Sequence, residues 1–250
     1  LREMALKWGL KINEYGVFRK EKFIAGRTEE EIFKLLGMPY IEPELREDNG
    51  EIELAINHTL PKLIDIKDVK SDLHVHSKWS DGGNTIEEIV RACLKRGYTY
   101  AAITDHSQSL KVAGGMTARD LKKKKEQIEK INQKLKTFYV LYGTEVDIDS
   151  DGKLDYKDEI LKEFDLVVAA IHTGFKQSKE QLTKRLIKAC QNKYVHIIAH
   201  PTGRLWGTRD AYEIDLDELL KVANQTNTFL EINAFPQRLD LNDLNCRRAK

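Results

Sequence analysis

From residue 69 onward, short apolar runs alternate with longer amphipathic stretches, and this rhythm restricts the possible folds more than any other feature of the chain. The runs fall at 69–75, 99–104, 138–147, 165–171, 195–199 and 228–232, with helical patterns between them at about 85–96, 118–136, 157–163, 179–192 and 215–224. Strand-length runs separated by helix-length segments predict parallel βα units, because a parallel strand needs a crossover that carries the chain back to the same end of the sheet. Six such units in succession predict a barrel rather than an open sheet. In a barrel of this kind, the side chains that do chemistry sit at the C-terminal ends of the strands.

The stretch before it is organised differently. Leu1–Trp8 reads as helical, and Thr28 followed by Glu29-Glu30-Glu31 is a capping-box pattern opening a helix through Leu36, stopped by Gly37 and Pro39. Residues 1–42 are therefore expected to form a small α/β unit. Residues 43–68 are charged and interrupted by Pro43, Gly50 and Pro61, and read as a connector with one helix around Glu51–Ile56. Residues 69–250 make the main domain. The chain opens on Leu1 within a helical pattern, as expected of a piece of a longer protein.

No apolar run approaches the roughly 20 residues that span a bilayer, so no membrane segment is expected. Cys93, Cys190 and Cys246 lie far apart with no CxxC, which favours a reducing, cytoplasmic setting over disulfides or a thiolate zinc site. A net charge of +1 means that any nucleic-acid surface must be local.

The polar residues at the strand ends carry the chemistry. The first run closes on Asp72-Leu73-His74-Val75-His76, with Asp81 in the following loop. Residues i and i+2 of a strand share a face, so both imidazoles can aim at one point. The second run ends in Thr104-Asp105-His106, the third passes through Gly143-Thr144-Glu145, the fourth ends in His172 and the fifth in His200. Five of the seven histidines thus occupy equivalent positions, which points to a shared metal site rather than to scattered turn residues. Nitrogen and oxygen donors without cysteine suit Mn, Zn or Fe, and several ions could be accommodated. Clustered divalent ions activate water near neutral pH and clamp phosphoryl oxygens.

His58 is expected on the surface of the connector, and His196 as a packed group inside a strand. Arg204 and Arg209, after His200, could bind a phosphate; the alternative is a solvated loop. Gly114-Gly115-Met116 could flank a substrate or be a plain loop. Asp147-Ile148-Asp149-Ser150-Asp151-Gly152 resembles a calcium loop, but position 12 is Asp158 and a strand precedes it, so an EF-hand is not expected. Lys122-Lys123-Lys124-Lys125 reads as a solvated helix face rather than a DNA contact.

The segments DLHVHSKWSDG, AITDHS, GTEVDI, AIHTGF and AHPTGRLWG together resemble the polymerase-and-histidinol-phosphatase (PHP) phosphoesterase domain, in the form joined to bacterial family X DNA polymerases. The N-terminal residues, from Arg2-Glu3-Met4-Ala5 to EEEIFKLLGMPYIEPELRE, resemble the end of a family X polymerase thumb. The resemblance implies an α/β fold, a distorted seven-stranded (β/α) barrel with up to three divalent ions, Mn or Zn. It places the ligands on His74, His76, Asp81, His106, Glu145, His172 and His200. The implied activity is 3′-5′ exonuclease or 3′-end processing of DNA in repair, by attack of a metal-bound hydroxide without a covalent intermediate. DNA 3′ ends and the polymerase domains of the parent chain are the implied partners, with Arg2 near the template strand.

Two departures bear on these expectations. The polymerase palm, with its catalytic aspartates and Mg, is absent from this chain. The family's final Asp-x-His after a seventh strand is not found either, so the last strand of the barrel is expected to be missing. A histidinol-phosphate-type phosphatase and a catalytically silent structural domain are the competing readings.

Overall fold

A computed structural model describes residues 1–249; Lys250, the last residue of the expected main domain, lies outside the described residues. The chain divides into two compact units, Leu1–Asp65 and the residues from Ile66 onward.

The first unit contains α1 (Arg2–Lys7), an antiparallel sheet of β1 (Lys11–Asn13), β2 (Gly16–Arg19) and β3 (Lys22–Ala25), then α2 (Glu29–Leu35) and α3 (Glu51–Ile56). The helices fall where the periodicity predicts them. The three strands do not announce themselves in the sequence, since three or four residues are too few for an alternation to stand out. Thr28 caps α2 by accepting the Glu31 N–H at 3.4 Å, but the Glu31 carboxylate accepts from Gly26 and Arg27 instead of closing the box on Thr28. The core is built on Ala5, Leu10, Val17, Phe33, Leu36, Met38, Ile41 and Ala55. Leu45, Ile52 and Leu60 pack against it, so the segment read as a connector belongs to this unit as far as Asp65.

The second unit runs β4 (Ser71–Val75), α4 (Ile86–Lys95), β5 (Tyr100–Ile103), α5 (Ala118–Asn132), β6 (Tyr139–Asp147), α6 (Asp158–Leu161), β7 (Leu166–Ala170), α7 (Lys179–Cys190), β8 (Ile197–Ile198), α8 (Leu216–Thr226), β9 (Phe229–Leu230) and α9 (Asp243–Ala249). Its six strands pair in sequence order, every pair parallel. The βα rhythm predicts a barrel, and the six strands form a curled, unclosed half-barrel; among the described residues there is no seventh strand. The long strand β6 pairs with β5 through Tyr139–Tyr142 and with β7 through Gly143–Asp147. That stagger tilts the sheet in the way barrel closure requires.

Helices α4, α5 and α7 each open on a complete capping box, at Thr85/Glu88, Thr117/Asp120 and Ser178/Gln181. Each cap satisfies two backbone N–H groups that the helix cannot, and so fixes where a crossover begins. Their inner faces, with Val90, Leu121, Ile128, Leu182 and Leu186, cover strand residues such as Ile103, Val140, Val146 and Val167. Helix α5 departs from expectation at one position. Lys122 and Lys123 are exposed, but Lys124 lies fully buried between Leu121 and Ile128 on the inner stripe, so the run is not uniformly a solvated face. Among the described residues no helix is long and apolar enough to cross a membrane.

Candidate metal centre

The strand ends of the second unit converge on one carboxylate. Glu145, in the second half of β6 and 1% exposed, has five imidazoles around it. Its Oε2 lies 3.3 Å from His74 Nε2, 3.2 Å from His76 Nε2 and 2.9 Å from His106 Nδ1. Its Oε1 lies 3.3 Å from His172 Nε2 and 3.0 Å from His200 Nε2. Asp81 reaches in from the loop after β4, with Oδ1 2.7 Å from His76 Nδ1 and Oδ2 3.6 Å from His106 Nε2. All seven residues singled out at the strand ends are thus gathered in one place.

Local structure sets these positions. His74 and His76 flank the end of β4 on one face, their rings 5.2 Å apart. The loop then turns back on itself, with the Gly82 N–H donating to the Ser77 carbonyl at 3.0 Å. A Cβ at Gly82 would stand 2.2 Å from the His76 carbonyl oxygen, closer than any real contact. Gly82→Ala must therefore displace the segment between His76 and Asp81. We expect a loss of about 2 kcal/mol or more, seen as a melting temperature lower by roughly 4–8 °C.

Two further carboxylates hold the imidazoles from behind. Glu231, just after β9, lies 2.7 Å from His74 Nδ1 and also accepts the His200 backbone N–H at 2.7 Å. It ties the first strand of the sheet to the last. Asp147, at the end of β6, lies 3.0 Å from His172 Nδ1. A carboxylate on the far nitrogen of a histidine is how metal-binding imidazoles are oriented. Neither residue was singled out from the sequence. Glu231 carried the same signal as the histidines, a polar side chain at the end of an apolar run, whereas Asp147 was absorbed in the calcium-loop pattern.

The donor set fits divalent metal. Two ligands each about 2.1 Å from one ion stand about 3.0–3.4 Å apart, depending on coordination number. The separations of 3.0–3.3 Å between Glu145 and the Nε2 atoms of His74, His76, His172 and His200 fall in that range. His106 Nδ1 and His200 Nδ1 are buried without a hydrogen-bond partner, the former close to Glu145 but out of line. Buried polar atoms are rarely left so without an ion or water to satisfy them. Three groups could each hold an ion: His74, His76 and Glu145; His76, Asp81 and His106; His106, Glu145 and His172.

The side chains of the cluster also fix one another's charge. Burial works to raise the Glu145 pKa, but the charge of His74 and the nearby imidazoles of His106, His172 and His200 hold it well below the usual carboxylate range. Burial alone would lower His74 and His172; Glu145 with Glu231, and Asp147 with Glu145, raise them to about 10 and about 9. His76 is raised by Glu145 against its burial, while burial wins at His200 and lowers it.

The remaining positions read from the sequence fall as follows. Arg204 donates from Nε to the Arg238 carbonyl at 3.0 Å and from Nη2 to that of Leu239, with its guanidinium 4.8 Å over the Trp206 ring. Arg209 donates to the Gly203 carbonyl at 2.8 Å and stacks 3.9 Å over Phe175. Both arginines knit loops at this end of the sheet. Met116 donates its N–H to the His106 carbonyl at 2.9 Å, so the Gly114-Gly115-Met116 loop braces the end of β5. The Asp149 carboxylate accepts from Asp151 and Lys153 and closes a turn rather than an ion loop. His196 lies not inside a strand but immediately before β8, half-buried, and accepts the Val167 N–H at 3.1 Å; His58 is exposed after α3, and Arg2 is exposed on α1.

The chain belongs to the PHP domain family, whose model matches residues 72–235. The DNA polymerase beta thumb model matches residues 1–47, so the order read from the motifs, a polymerase thumb followed by a PHP domain, is borne out. A Bacillus subtilis (strain 168) protein named DNA polymerase/3′-5′ exonuclease PolX is 48% identical over 243 residues, covering 96% of this chain and 42% of that protein. A probable phosphatase of Thermoanaerobacter pseudethanolicus is 34% identical over 168 residues, 65% of this chain and 63% of that one. The chain therefore spans less than two thirds of the length of either relative.

Among solved structures, one from Listeria monocytogenes described as a histidinol phosphatase matches with a TM-score of 0.58 at 14% identity, covering 72% of this chain and 90% of that one. A Lactococcus lactis histidinol phosphate phosphatase complexed with zinc, L-histidinol and phosphate matches with a TM-score of 0.51 at 18% identity, covering 72% and 81%. Likeness at these identities speaks for the fold.

Proposed function

We propose that this chain is the metal-dependent phosphoesterase part of a family X DNA repair polymerase, acting on DNA 3′ ends as a 3′-5′ exonuclease or end-processing enzyme. The observation that carries this reading is the single buried carboxylate, Glu145, at metal-ligand spacing from the imidazoles gathered at the strand ends. The proposed ligands are His74, His76, Asp81, His106, Glu145, His172 and His200, holding up to three Mn or Zn ions. Zinc accompanies the Lactococcus lactis phosphatase of the same fold. Divalent ions bound there would draw charge from phosphoryl oxygens and make water acidic enough to act as a nucleophile near neutral pH.

The chain's own residues would supply position and access. Glu231 and Asp147 hold His74 and His172 in orientation. Asp81, with its side chain 46% exposed, is the most accessible member of the set and would meet incoming substrate first. Arg204 and Arg209 are proposed to offer their remaining N–H groups to phosphate, and Arg2 to contact the template strand.

A histidinol-phosphate-type phosphatase is the second reading, favoured by the names of the structural neighbours. The thumb match over residues 1–47 supports DNA instead, since a small-molecule phosphatase has no use for that segment. The parent protein, given Mn²⁺ and either 5′-labelled DNA or histidinol phosphate, separates the two. Shortening of the DNA from its 3′ end, stopped by chelation and restored by Mn²⁺, is the expected outcome. Turnover of histidinol phosphate without any of DNA would overturn the assignment.

A further inference from the structure

The lysine buried inside α5 has no role in the chemistry proposed above, yet it sits one residue layer behind it. Lys124 is 0% exposed, and its Nζ has three partners: the Ile103 carbonyl at 2.8 Å, the Gly143 carbonyl at 3.0 Å and Asp105 Oδ2 at 2.9 Å. The two carbonyls belong to the last residue of β5 and to the midpoint of β6 where its pairing changes sides. The ammonium thus clamps the strands that carry His106 and Glu145, three and two residues further along. All three of its protons are placed, as a buried ammonium requires.

Asp105 extends the clamp across to β4. Its Oδ1 accepts the Ser77 N–H at 2.7 Å and the Ser80 hydroxyl at 2.8 Å, and its Oδ2 accepts the Ser77 hydroxyl at 2.9 Å. Ser77 follows His76 and Ser80 precedes Asp81, so both ends of the loop that presents these two residues are fastened to one carboxylate. That carboxylate touches no imidazole of the cluster and is itself fixed by Lys124. We propose that Lys124 is a positioning residue: through Asp105 it holds the His76–Asp81 loop in register with His106 and Glu145, setting the spacing of the donor groups.

This rests on the metal-centre reading, and the experiment separates the two. Mn²⁺ affinity and the bound-Mn²⁺ EPR spectrum are compared for the wild-type chain, Lys124→Met, and Lys124→Met combined with Asp105→Leu, with thermal melts in parallel. Methionine matches the lysine stem and removes the charge, leaving Asp105 buried and unpaired, so the single variant is expected to melt early. Removing both charges together recovers part of the stability, because no uncompensated ion is left inside, although the buried Ser77 N–H and hydroxyl lose their acceptor. If the pair serves only the fold, metal binding recovers with it.

Under our proposal it does not recover. The double variant, folded and melting above the single variant, binds Mn²⁺ about 10- to 100-fold more weakly, the usual effect of losing groups that orient ligands, and with a changed EPR spectrum. A stable double variant with wild-type affinity overturns the proposal, as does a double variant that cannot fold, which would make the pair a support of the fold alone. A wild-type chain that binds no Mn²⁺ would instead sink the metal-centre reading itself.

Discussion

Glu145→Gln is expected to reduce phosphoester hydrolysis by about a thousandfold while leaving the chain folded. The substitution keeps shape and volume but changes what the two side-chain atoms can do. In the native cluster one oxygen faces His74, His76 and His106 and the other faces His172 and His200. Glutamine must turn an NH2 group toward one of these sets, and a nitrogen carrying two protons cannot be a metal ligand. Two of the three candidate groups include Glu145, so each is left with the amide NH2 or with a neutral, weaker carbonyl oxygen, and only His76, Asp81 and His106 would keep an unaltered donor set. Bound metal should therefore fall to at most one ion per chain by elemental analysis. Losing the ions that share Glu145 removes about 4 kcal/mol of charge stabilisation, which is roughly three orders of magnitude in rate. Activity within tenfold of wild type would show that Glu145 is not the shared ligand.

The parts of this molecule that could be read from the chain are those written in local periodicity. The inner strands β5, β7 and β8 appear as apolar runs, because a strand covered by helices on its outer side and facing a packed interior must be apolar on both. The edge strand β4, in contrast, carries Asp72 and His74 and is only half-buried. The histidines stood out for the same reason, as polar interruptions at the ends of such runs. What could not be read depends on partners distant in sequence. Lys124 looks like its neighbours in a run of four lysines, and only the fold brings Asp105 to it. Arg204 and Arg209 look like free loop cations, yet their guanidinium groups bond carbonyls and lie over rings of Trp206 and Phe175. The short strands β1 to β3 are defined by pairing with one another rather than by pattern. Glu231 is the instructive case: its position was legible, but its task depends on His74, 157 residues away.

Metal binding should release protons, and the metal-free chain should weaken as the solution becomes alkaline. His74 and His172 are held at about 10 and about 9 in the folded, metal-free cluster, against about 6.5 for a free imidazole. A histidine with a raised folded pKa contributes stability that is complete below pH 6.5 and disappears as pH climbs through the folded value. Glu145 works in the opposite sense: depressed well below 4.5, it contributes above that value and loses its contribution only in strong acid. Between pH 6.5 and 10 the histidine contribution is therefore withdrawn with nothing from Glu145 to replace it. A loss on the order of 2 kcal/mol, or about 4–8 °C in melting temperature, is expected across that window in the presence of chelator. An ion takes the place of the imidazole protons, so with saturating Mn²⁺ the same melting curve should stay nearly flat. Below pH 9, Mn²⁺ has to displace protons from both histidines, and its affinity should climb steeply with pH in consequence. Calorimetry at pH 7.5 in buffers of different ionisation enthalpy should count protons released as the site fills, from His74 and His172 and from His76, which is raised as well. A count near zero would mean that the imidazoles are already neutral, and that Glu145 is balanced by something other than their charge.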